Sequence, residues 1–181
     1  MKSIFFNFVF LLVFLVGSRL INMPPNFTPI IATAILAPHI FSNKMYTSIA
    51  LIILSMFISD LFLGLHKYLF FTYLPLIIII LFSSKFNKFS SAAFFMTIFS
   101  PLIFFIISNF GVWFIGDFYE KSLSGLILCY TMGLPFLKNT FLGTITFIML
   151  YLFLYNIAFL IINKFFSKIT NYNSSLIFLR F

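Results

Sequence analysis

Acidic side chains are nearly missing from this chain. Asp60, Asp117 and Glu120 are the only three in 181 residues. With 62% hydrophobic residues and a mean hydropathy of +1.16, the chain has too few polar groups to coat a soluble globule, so its solvent is lipid. The single cysteine, Cys129, excludes an internal disulfide and a multi-cysteine metal site. Only two histidines are present, His39 and His66, read here on opposite faces of the membrane, which argues against a histidine-based metal centre. No Ser/His/Asp grouping on a glycine elbow, no His-x-x-x-His and no Walker loop occurs. The chain is therefore not read as an enzyme, and no cofactor is implied. Without a nucleotide-binding module, any uphill transport draws its energy from another subunit or an ion gradient.

What is present comes as repeated apolar runs. They do not alternate apolar and polar residues, so a β-barrel is excluded in favour of helices. The expectation is an all-α integral membrane protein of about six transmembrane helices, with one domain over residues 1–169 and a short cytoplasmic tail over 170–181. The net charge of +8 does not indicate nucleic acid, because the basic residues are scattered between apolar runs rather than gathered on one face. Abundant Phe, Ile, Lys and Asn reflect an A/T-rich genome and carry no functional weight. The segment Met1 to Ser18 resembles a secretory signal peptide; retention as the first span is favoured, because a polytopic protein uses that span as its insertion signal.

The spans are read as Ile4–Leu20, Pro29–Phe41, Met45–Leu65, Tyr68–Ser84, Ser90–Ser108 and Asn139–Asn163. Pro24, Pro25 and Pro29 forbid a continuous helix between the first two. The segment Ser122–Phe136 is apolar but short, ends at Gly133 and Pro135, and is either a seventh span or a stretch that dips in and returns. Loop charges arbitrate. With six spans and a cytoplasmic N-terminus, Lys2, Lys44, Lys85, Lys88, Lys164, Lys168 and Arg180 fall inside, and Arg19, Lys67, Lys121 and Lys138 outside. Seven spans would reverse that bias, giving five inside and six outside. The expected location is the bacterial inner membrane, with both termini cytoplasmic.

This topology gathers the varied polar chemistry at the outer end. Candidate substrate-binding residues are Arg19 and Asn26 after span one, Asp60 near the end of span three, and Asn109, Trp113 and Tyr119 after span five. An ionisable group within a span is a functional candidate by default, and Asp60 is one; the plainer reading is an internal pair with Arg19 or Lys67. Arg19 has a planar fork suited to carboxylate or phosphate, and the plainer reading makes it an insertion anchor. Trp113 and Tyr119 read equally as an aromatic belt. His39 and Cys129 read as structural. Asn26-Phe27-Thr28 matches a glycosylation sequon, a pattern common by chance. Ala32, Ala34 and Ala37 allow close helix packing, either internally or against a partner.

Several of these residues also carry a resemblance. Arg19 with Pro25-Asn26-Phe27-Thr28-Pro29 and Ala32, Ser59-Asp60 with Leu63-Gly64, and Ser108-Asn109-Phe110-Gly111-Val112-Trp113 form its first half. Tyr119, Gly125-Leu126 with Cys129-Tyr130, and Pro135-Phe136 before Asn139-Thr140 complete it. Over about residues 15 to 145 the chain resembles a family of uncharacterised bacterial membrane proteins. That family is similar to the substrate-binding S components of energy-coupling-factor (ECF) vitamin transporters. The resemblance implies an S-component-like bundle that binds a vitamin or related micronutrient at the outer face, through the loops after helices one, three and five. It also implies docking on a transmembrane coupling subunit with its ATPases, with Ala32, Ala34 and Ala37 as the corresponding small residues. The N-terminal histidine arrangement of metal-specific S components is missing, which disfavours nickel or cobalt. The alternative is a non-transporting cell-envelope scaffold of the rod-shape type, which needs no outer pocket. A stand-alone transporter or lipid-modifying enzyme is a third reading.

Overall fold

The computed structural model describes residues 2–42, 44–86 and 89–170. It is all-helical, with no strand among the described residues. Six helices follow in order: α1 (Lys2–Leu20), α2 (Ile30–Ile40), α3 (Met45–Leu63), α4 (Leu69–Ser83), α5 (Phe89–Ile115) and α6 (Leu123–Thr170). Among the described residues, three stretches are long and apolar enough to cross a membrane: Met45–Leu63, Phe94–Ile115 in α5 and Leu123–Asn163 in α6. Helices α1, α2 and α4 contain shorter apolar runs. This is the architecture of a membrane-associated helical protein.

The centre of the molecule is its shortest helix. Every residue of α2 from Ile30 to Pro38 is buried, as is Pro29 before it. A helix apolar on all sides belongs inside a protein or in lipid. Here α3, α4, α5 and α6 enclose it, while α1 packs on α3. Ala32, Ala34 and Ala37 explain the fit: each is at most 2% exposed, and a side chain of one carbon lets neighbouring helices approach closely. Their packing is internal. Leu51, Ile52, Leu76, Ile79 and Ile80 supply facing layers of the same core, each fully buried.

Two boundaries differ from the sequence expectation. The polar stretch after Ser108 does not end α5, which continues to Ile115. The segment Ser122–Phe136 is neither a separate span nor a returning dip, because it runs without a break into the last helix as α6. Pro135 lies inside that helix. A proline removes one amide donor and crowds the carbonyl four residues before it, but flanking turns can carry a helix through. At 48 residues, α6 extends roughly 72 Å. Leu152 still packs against the core; beyond it the helix leaves, and Phe153, Leu154, Leu160 and Ile161 are each more than half exposed. Of the basic residues used for the charge bias, Lys88 and Arg180 lie outside the described residues, as do the side chains of Lys2, Lys164 and Lys168. So does the tail over 171–181.

Candidate functional site

Where α1 and α3 end, their charges meet. Arg19 occupies the last turn of α1. Met56, Ser59 and Asp60 stand at i, i+3 and i+4 on α3, so they share one face. Arg19 Nη2 lies 2.7 Å from Asp60 Oδ1. Arg19 Nη1 donates to the Met56 carbonyl at 3.1 Å and to Ser59 Oγ. Tyr73, from α4, donates to Asp60 Oδ2 at 2.6 Å. Both carboxylate oxygens are therefore engaged, and the Asp60 side chain is 1% exposed against 17% for Arg19. Buried charge survives only when paired and hydrogen-bonded, and this cluster meets both conditions.

Beside the cluster lies a cavity of about 310 Å³. Its apolar walls include Met56 and Leu63 of α3, Leu76 of α4 and Phe104 of α5. Its polar groups include Arg19, His66, Thr72 and Thr140. Ile30 and Ile31 bring the N-terminus of α2 to it. The loop over residues 21–29 closes one side through Met23, Pro24, Pro25, Asn26 and Thr28. His66 Nδ1 is buried with no hydrogen-bond partner among the described residues. A larger cavity of about 360 Å³ lies at the opposite ends of α1 and α3, along Ile4, Phe5, Phe8, Lys44 and Thr47. It is almost wholly apolar and holds one charge, so the chemistry favours the smaller cavity.

The loop over 21–29 is built to hold its shape without helical hydrogen bonds. Pro24 and Pro25 carry no amide hydrogen that would need a partner. The Phe27 amide donates to the Pro24 carbonyl at 2.9 Å. Asn26 takes a φ of 63°, a left-handed conformation that asparagine tolerates better than most residues. Helix α6 supplies the seat. Asn139 Nδ2 donates to the Pro25 carbonyl at 3.0 Å. One turn on, Gly143 lets the loop backbone come close: a Cβ there would stand 3.2 Å from both Phe27 Cα and Thr28 N. A further turn on, the Phe147 ring sits 5.7 Å from that of Phe27.

The family model described as "Family of unknown function (DUF6580)" matches residues 1–167. The chain belongs to that DUF6580 family. No curated protein and no solved structure matches it.

In this DUF6580 member the sequence candidates fall into two groups. Arg19, Asp60 and Asn26 are brought together at or beside the cavity. Asn109, Trp113 and Tyr119 lie towards and beyond the end of α5 and do not line it. Asn109 Nδ2 donates to the Phe105 carbonyl of its own helix at 2.9 Å, and its amide oxygen packs against Gly133 of α6. Trp113 Nε1 donates to the Glu120 carbonyl at 2.9 Å. Lys121 crosses the Trp113 ring and caps the end of α5 through the Trp113 and Gly116 carbonyls. Tyr119 is half-buried in the same turn. Nearby, Lys67 Nζ and Asp117 Oδ2 pair at 2.5 Å, joining the α3–α4 and α5–α6 loops. That hydrogen bond holds the Asp117 carboxyl below its ordinary range and the Lys67 ammonium above its own.

Tyr73, Thr140, Asn139 and Gly143 were not among the sequence candidates. Tyr73 is one ring in a chain with 31 phenylalanines and 8 tyrosines, so nothing local set it apart. Asn139 stands out in the sequence as a polar residue opening an apolar run and as part of the Asn139-Thr140 pair in the family resemblance, with no sign of the Pro25 carbonyl it serves.

Proposed function

We propose that this protein is a membrane subunit that binds a small molecule for uptake, with the cavity beside Arg19 as its binding site. The observation that carries the reading is a cavity of about 310 Å³ whose walls combine apolar side chains with polar groups, among them the fixed fork of Arg19. Small-molecule sites have that character, and this volume falls at the compact end of their range. A scaffold has no need of a preformed cavity closed by a proline-rich loop seated on α6. The S-component-like bundle, a vitamin or related micronutrient as ligand, and a transmembrane coupling subunit with ATPases as partner belong to this proposal. So do the bacterial inner membrane and cytoplasmic termini, which a reporter fused after Phe181 tests by being active on the cytoplasmic side alone. In this proposal Trp113 and Tyr119 shape the α5–α6 turn and Asn109 packs α5 against α6, rather than contacting the ligand.

The test is to purify the protein in mild detergent and identify co-purifying small molecules by mass spectrometry. Thr140→Phe, on the cavity wall, fills the space from a position that already faces it. The expected outcome is a ligand in the native protein, its loss in Thr140→Phe, and loss of its uptake by cells in which the variant inserts normally. A ligand retained in full by Thr140→Phe would place binding elsewhere. Undiminished uptake by cells expressing only Thr140→Phe would favour the scaffold.

A further inference from the structure

The charge balance of the cavity bears on what it holds. All three acidic residues of the chain can be located. Asp60 is committed at both oxygens, to Arg19 and Tyr73. Asp117 pairs with Lys67, and Glu120 stands exposed in the α5–α6 turn. No free carboxylate among the described residues lines the cavity, so a cationic ligand would enter it without a counter-charge.

Hydrogen-bond donors are abundant by contrast. A guanidinium has five N–H groups. The contacts to Asp60, Met56 and Ser59 engage both hydrogens on Nη1 and one on Nη2, which leaves Nε–H and the second Nη2 hydrogen uncommitted by them. Tyr73 strengthens the same arrangement: by donating to Asp60 it stabilises the carboxylate, which in turn fixes the fork of Arg19 in place. His66 brings a second nitrogen-bearing side chain to the wall, its Nδ1 buried and unpartnered among the described residues. The start of α2 adds a third element. It has no side-chain cap, and the amide of Thr33 is the first to reach a carbonyl one turn back, that of Pro29. The amides before it are the usual orphans of a helix N-terminus, where the macrodipole favours negative charge. Arg19, His66 and this helix start converge on one cavity, whose other walls mix hydroxyl-bearing residues such as Thr72 and Thr140 with the apolar Met56, Leu76 and Phe104.

Resting on the binding reading above, we infer that the cavity selects a compact organic anion, its acidic group taken by Arg19, His66 and the start of α2 and its apolar body by Met56, Leu76 and Phe104. The acidic group is a carboxylate or phosphate carried either by a free solute or by a lipid headgroup.

Three matched probes test the charge: phenylpropionate, the neutral phenylpropanamide and the cationic phenylpropylamine. Binding to the full chain in neutral detergent is measured by equilibrium dialysis. The expected result is that phenylpropionate binds at least about tenfold more tightly than either analogue, and that Arg19→Lys, which keeps a charge for Asp60 but removes the fork, abolishes that preference. His66→Leu is the second variant, lowering phenylpropionate affinity while Arg19 and Asp60 stay paired. If the amide or the amine binds as well as the acid, the anion inference is overturned and the binding site stands. If no probe saturates at millimolar concentration while the co-purified ligand is neutral or cationic, the anion inference is again overturned. If no probe binds and no ligand co-purifies, the binding reading itself fails. Reconstitution in phosphatidylcholine with and without phosphatidylglycerol separates the two sources. Competition by phosphatidylglycerol identifies a lipid headgroup, and its failure to compete identifies a free anion.

Discussion

Tyr73 donates its phenolic hydrogen to Asp60 Oδ2 at 2.6 Å while Arg19 holds the other carboxylate oxygen at 2.7 Å. The two contacts tie α4 and α1 to the same residue of α3. Asp60 is thus a junction of three helices, and the consequences of removing each partner differ.

Asp60→Asn keeps the shape but leaves Arg19 without its counter-charge. The expected loss of stability is about 3 kcal/mol, the scale for breaking one side of a buried ion pair. Tyr73→Phe removes one hydrogen bond to a charged acceptor and costs about 1.5 kcal/mol. Cys129 is the chain's single cysteine and is 2% exposed, so thermal unfolding followed with a fluorogenic maleimide reads both variants. If Tyr73→Phe proved as damaging as Asp60→Asn, the carboxylate would not be the centre of the cluster.

The seat of the loop over 21–29 makes a separate prediction. Gly143→Leu introduces a side chain where a Cβ alone would stand 3.2 Å from Phe27 Cα, so the loop must lift away. Asn139→Ala removes the bond to the Pro25 carbonyl and loosens the loop without forcing it. Hydrogen exchange at the Phe27 amide, slow in the native protein through its bond to Pro24, is expected to accelerate strongly in Gly143→Leu and moderately in Asn139→Ala. Equal exchange in all three proteins would mean that α6 is not the seat.

Much of the cluster is legible in the amino-acid sequence, and the reason is energetic contrast. A carboxylate in an apolar run is costly enough to demand a partner, so Asp60 and Arg19 stand out. The loop over 21–29 is legible through its prolines. Its seat is not, because Asn139 and Gly143 gain their meaning only from a segment more than a hundred residues earlier. The polar and aromatic stretch Asn109–Lys121 misleads about the boundary of α5, which runs on to Ile115. Asn109 satisfies its own amide on the Phe105 carbonyl, so its polarity does not end the helix. Gly133 and Pro135 mislead in the same way, reading as a break where α6 continues.

Trp113→Ala is expected to leave probe affinity in the cavity unchanged and to loosen the α5–α6 turn. The indole N–H serves the Glu120 carbonyl and the ring lies under Lys121. Equilibrium dialysis with phenylpropionate, paired with limited proteolysis between Gly116 and Ser122, measures both effects. A fall in affinity without faster cleavage would return Trp113 to the ligand.

The Lys67–Asp117 pair gives a signed dependence on pH. The lowered Asp117 value means that its contribution is present above the ordinary carboxylate range and is lost as pH falls through the lowered value. The raised Lys67 value means that its contribution is present below the ordinary lysine value of 10.5 and is lost as pH rises through the raised one. The difference in melting temperature between the native protein and Lys67→Met is therefore expected to be flat across neutral pH and to shrink in strong acid. Both partners are exposed, so the difference is small and falls with added salt. A difference that grew on acidification would contradict the pairing.

The burial of α2 from Ile30 to Pro38 has a consequence for biogenesis. At 11 residues it is roughly 16 Å long, about half the thickness of a bilayer core, and it cannot rest in lipid as an independent span. The helices that enclose it, α3 to α6, are all synthesised after it. When α2 leaves the ribosome, the walls of its final site do not yet exist. The insertion machinery must shelter this segment until at least α5 has been delivered, and a nascent chain arrested before that point will still be held at the translocon rather than released.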